Sequence, residues 1–112
     1  MSDLVTWLRA QLDADERIAR GARADYFTPE VLLQFSAAGD AAHVVTHDPA
    51  RVLRQVAAMR NIVDAYEFAI HRAAQHRGDV ASSAAVLVML HVLKLAATIY
   101  ADRDGYREEW RP

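Results

Sequence analysis

The sequence has no cysteine, which excludes disulfide frameworks, thiolate zinc sites and cysteine nucleophiles and leaves the redox compartment undetermined. Lysine occurs once, at Lys94, so the basic charge is carried almost entirely by arginine. That charge is not in excess: the formal net charge is −2. A nucleic-acid binder usually shows phosphate neutralisation as a basic surplus, so this balance argues against one. Only four glycines and three prolines are present, and no repeat or low-complexity run is visible, which sets the chain apart from disordered and fibrous classes. The start Met1-Ser2-Asp3 also lacks the basic segment, apolar core and small-residue cleavage site of a secretory signal, so a cytoplasmic location is expected.

What is present is a globular composition: 53% hydrophobic and 25% charged residues in a chain of 112. One domain of that size buries roughly two thirds of the surface its unfolded chain would expose. Leu4, Leu8 and Leu12 recur at helical spacing after Asp3, laying one apolar stripe along a helix from Asp3 to about Arg20, with Gly21 as its stop and residues 22–26 as connection. Asp13 with Arg17, and Glu16 with Arg20, stand at i, i+4 with the acid first, the favourable order. Asp48-Pro49 is the clearest helix start, a carboxylate cap followed by proline where no amide hydrogen is needed. Val52, Val56, Met59, Val63, Tyr66 and Ile70 then follow in steps of four and three, the period of a packed helical seam, to about His76. Gly78 closes that helix, and Asp79 or Ser82 caps the next.

From Val86 to Ile99 nearly every residue is apolar. Such a helix is either the central one of a bundle or is covered by another chain, and few other elements are available to surround it, so a homo-oligomer is expected. Val80 to Tyr100 has the length of a membrane span, yet His91 and Lys94 sit near its middle. A charge there costs at least ~2.5 kcal/mol in lipid, which favours a buried helix and no membrane. The expected architecture is therefore mainly α. It is one small domain over residues 1–112, a helical bundle of three long helices near Asp3–Arg20, Pro49–His76 and Ser82–Ala101. A short element near residues 28–47 is either a helix begun by Thr28-Pro29 or a β-hairpin. Leu8, Leu12, Val56, Met59, Val63, Leu90 and Leu93 are its expected core.

No motif compels a reaction. His43 and His47 would share a helix face, with Asp48 adjacent and Glu67 and His71 repeating the spacing, so these five are the candidate ligands of a metal-dependent hydrolase. The pattern lacks the glutamate that follows the first histidine of a metalloprotease helix, and solvated histidines are the simpler reading. No cofactor is expected, and His91, Ser82 and Ser83 are read as packing and capping residues rather than catalysts. Arg51, Arg54 and Arg60 cluster on the second long helix and are the residues a DNA-binding accessory role would use. Arg51, unfavourably placed at a helix N-terminus, points first to an intramolecular carboxylate partner among Asp102, Asp104, Glu108 and Glu109.

Chain ends usually fray unless anchored, and this one carries anchors: Tyr100, Tyr106 and Trp110 interleaved with Arg103, Arg107 and Arg111. A tail over residues 102–112 docked on the bundle is expected, with Trp110 buried and Arg107 or Arg111 paired with an acid; the other use of Tyr106, Arg107 and Trp110 is recognition of a protein partner. Three separated blocks, Asp3 to Glu16, His47-Asp48-Pro49-Ala50-Arg51-Val52-Leu53, and Tyr106-Arg107-Glu108-Glu109-Trp110-Arg111-Pro112, resemble an uncharacterised family of small actinobacterial and actinophage proteins, a domain of unknown function. The resemblance implies a lineage and brings no activity, substrate or catalytic residue. The function class expected from the residues themselves is a non-enzymatic helical interaction protein acting as a homodimer.

Overall fold

A computed structural model describes residues 2–25 and 48–112. It is mainly helical, with three α-helices and, among the described residues, no strand. They are α1 (Ser2–Asp25), α2 (Pro49–Gln75) and α3 (Val80–Ala97), followed by short 3-10 turns at Thr98–Tyr100 and Glu108–Trp110. The short element expected near residues 28–47 lies outside the described residues. The chain divides into two compact units, Met1–Gln11 with Ala58–Pro112, and Leu12–Ala57, so α1 and α2 each contribute to both.

The start of α2 follows from two residues. Asp48 accepts a hydrogen bond from the Ala50 N–H at 3.3 Å through its side chain, and its carbonyl accepts from the Val52 N–H at 3.0 Å, while Pro49 fills the first helical position. One donor left over at a helix N-terminus is thereby satisfied. After Gln75, Gly78 adopts φ +86°, a left-handed conformation open to glycine at little cost, and the chain turns into Asp79 and α3. The Ser82 hydroxyl donates to the Asp79 carboxylate at 2.6 Å, and this bond, with the N–H groups of Ala81 and Ser82, holds the Asp79 carboxyl below its ordinary value.

Two boundaries differ from expectation. Helix α1 continues through Gly21 to Asp25 instead of stopping at Arg20, so residues 22–25 belong to the helix. A mid-helix glycine costs only about 1 kcal/mol relative to alanine, and Gly21 keeps a negative φ, so it is no terminator here. Helix α3 begins at Val80, two residues before Ser82, because the cap is Asp79; its end tightens into a 3-10 turn before Ala101.

In the unit that contains α3, the buried side chains are Leu4, Val5, Leu8, Val63, Tyr66, Ala69, Ser82, Leu93, Ala97, Tyr100 and Trp110. Burial raises the pKa of the Tyr66 hydroxyl. In the other unit Leu12, Ala19 and Val56 are buried. Met59 and Leu90, expected in the core, are half-buried at the edges of their faces. The Glu16 and Arg20 side chains pair at 3.2 Å on the outer surface of α1.

Candidate interaction surface

Helix α3 and the 3-10 turn after it carry apolar residues on two faces that differ in burial. Ser82, Val86, Met89, Leu93, Ala97 and Tyr100, spaced by three and four, are buried or half-buried. The opposite face holds Ala81, Ala84, Val88, His91 and Leu95, all exposed, and Leu87 and Ile99 border it. Leu87 is 68% exposed, Val88 61%, and Leu95 and Ile99 49% each. Within one chain, then, one face of this helix is buried or half-buried and the other is exposed. Val80–Tyr100 is the one stretch among the described residues long and apolar enough to cross a membrane.

The C-terminal residues close onto α1. Trp7 Nε1 donates to the Asp104 carbonyl at 3.0 Å. Its ring lies 5.7 Å from that of Tyr106 and 5.3 Å from that of Trp110, and Tyr106 and Trp110 meet edge to face at 5.8 Å. Each tail arginine covers a ring: Arg103 over Tyr100 at 4.5 Å, Arg107 over Trp110 at 5.3 Å, Arg111 over Tyr106 at 5.6 Å. Arg107 also pairs with Asp3 at 3.2 Å and Glu109 at 3.5 Å, and Arg111 with Glu108 at 2.5 Å. The last contact depresses the Glu108 pKa and raises that of Arg111. Glu108 and Glu109 thus have Arg111 and Arg107 as partners, where Arg51 was expected. Gly105, at φ +90°, brings the backbone against Trp7: a Cβ there would stand 2.7 Å from Nε1.

Sequence reasoning overlooked Trp7 and Arg9. Arg9 donates to Asp64 at 3.0 Å and also to Glu67, a fork between α1 and α2 that raises the arginine's pKa through both hydrogen bonds, the Asp64 one most. Glu67 is thereby a partner of Arg9. His43 and His47 lie outside the described residues, Asp48 caps α2, and His71 is exposed on α2. Among the described residues no three His, Asp or Glu side chains are grouped to hold a metal ion. Arg51 and Arg54 are exposed in the first turns of α2, and Arg60 is half-buried further along.

These features define a small helical protein whose tail is clasped to its first helix and whose last long helix presents an uncovered apolar face. The chain belongs to a family of unknown function (DUF6221), whose model matches residues 1–112. No curated protein and no solved structure matches it.

Proposed function

We propose that the protein is a non-enzymatic interaction protein that works as a homodimer in the cytoplasm. The observation that carries this reading is the row of exposed Leu87, Val88 and Leu95 on α3 and Ile99 in the 3-10 turn that continues it. A contiguous apolar patch on a folded surface marks an interaction site. A membrane role is disfavoured because Leu93, Ala97 and Tyr100 of the same stretch face the protein's own core and Lys94 lies within it. The arginine-rich, almost lysine-free composition fits the actinobacterial or actinophage origin that the three sequence blocks suggest.

Light scattering on the untagged full chain tests the reading. The expected mass is twice the 12.5 kDa of one chain. A monomer that persists as the concentration is raised would sink it.

A further inference from the structure

Asp3, Trp7 and Gln11 stand four residues apart and so form one stripe along α1. Each holds the tail, in reverse order. Gln11 accepts a hydrogen bond from Arg103 at 3.3 Å, Trp7 donates to the Asp104 carbonyl at 3.0 Å and lies against Gly105, and Asp3 accepts from Arg107 at 3.2 Å. The tail therefore runs antiparallel to α1 in a single register. Its own backbone bonds are local: the Tyr106 N–H donates to the Arg103 carbonyl, that of Trp110 to Arg107 and that of Arg111 to Glu108. Among the described residues no backbone-to-backbone hydrogen bond joins the tail to α1. Lifting the tail thus costs neither α1 nor α3 a bond of its helix.

The closed tail also carries a group that favours release. The Tyr106 hydroxyl oxygen is fully buried and meets no hydrogen-bond partner among the described residues. Trp7, its neighbour in the aromatic cluster, has one indole N–H and gives it to Asp104. A hydroxyl buried in this way loses its bonds to water and gains none in return, a penalty present only while the tail is down. Opposing it are the burial of Trp110 and the exposed Arg107–Asp3 pair, of which the second contributes little. We propose that residues 102–112 are a strap that lifts from α1 as one piece while the helices stay formed, and that the Tyr106 hydroxyl sets how readily it lifts. Lifting bares Trp7 and presents Tyr106, Arg107 and Trp110 on one short segment. Because Trp110 is buried in the closed form, a protein partner reads it only in the open one. This device is independent of the homodimer reading, which concerns α3.

Hydrogen exchange on the untagged full chain, followed by NMR, tests the strap. Its reporters are the Trp7 indole hydrogen, bonded to Asp104, and the Tyr106 amide; the amides of Leu90 and Leu93, inside α3, report opening of the helical core. Corrected for intrinsic rates, the two strap reporters should share one protection factor, lower than that of the α3 amides. Strap protection should also respond less to urea, since lifting a tail exposes less surface than unfolding the chain. In Tyr106→Phe the buried hydroxyl is gone, so strap protection should rise by about fivefold or more. Equal protection of strap and α3 would mean that the tail leaves only with the whole fold, which overturns the strap. Protection unchanged or lowered in Tyr106→Phe would mean that the hydroxyl is satisfied in solution, which overturns its part in release.

Discussion

Two glycines should respond in opposite directions to the same substitution. At Gly105 alanine meets both a left-handed backbone and the Trp7 ring, at 2.7 Å from Nε1. Gly105→Ala should therefore cost about 1–3 kcal/mol, the range for strained backbone, read as a lower urea midpoint. At Gly21 a Cβ finds nothing within 4 Å, and the residue is inside α1. Gly21→Ala should stabilise by about 0.5–1 kcal/mol by restricting the unfolded chain. An unchanged midpoint at both sites would remove the conformational argument. Arg9 shows why partner number is a poor guide to stability. It bonds two carboxylates, yet its side chain is 38% exposed and those of Asp64 and Glu67 are 65% and 50% exposed. Exposed pairs contribute about 0–1 kcal/mol, so Arg9→Met should cost no more than that. A loss several times larger would mean the fork organises the α1–α2 contact rather than decorating it.

At the level of elements, what could be read from the chain was what is local. The start of α2 was legible because a carboxylate and a proline suffice to make it, and Asp48→Ala should cost about 0.5–2 kcal/mol of stability by denaturant titration. The end of α1 was not legible, because a glycine's small helix penalty is decided by what the helix packs against. Trp7 escaped notice for the same reason: its partner carbonyl is 97 positions away, and residue 7 stands beside the Leu4, Leu8 and Leu12 stripe rather than on it. The candidate histidine pair, residues 43 and 47, lies outside the described residues. For α3 the composition announced an apolar helix, and periodicity could not tell which of two apolar faces the rest of the chain would cover. The α3 start also carries a pH signature. Asp79 is depressed mainly by the Ser82 hydroxyl. A carboxyl with a lowered folded pKa contributes stability above its unfolded value of about 4, and that contribution is lost as pH falls through the folded value. Ser82→Ala should move the Asp79 titration, followed by NMR, upward towards the ordinary range; a curve that stays put would assign the depression to the backbone donors.

For the whole molecule, the tail is the element whose removal should matter most. Trp110 is 3% exposed, and replacing a buried tryptophan with alanine costs about 3–5 kcal/mol in a core. Deleting residues 106–112 should lower the melting temperature by at least as much as Trp110→Ala. Equal melting of intact and shortened chains would make the tail a recognition peptide instead. The clasp has an optical corollary. The chain has two tryptophans, and they are each other's neighbours, with ring centroids 5.3 Å apart and planes tilted by 46°. Indole transitions at that separation couple, so the folded protein should show an exciton couplet in circular dichroism superimposed on its helical spectrum. Since both chromophores belong to one cluster formed by the two ends of the sequence, this signal reports a single event, the meeting of head and tail, and is indifferent to how much helix has formed. Recorded beside the helical signal during refolding, it would time the closing of the chain upon itself without any label.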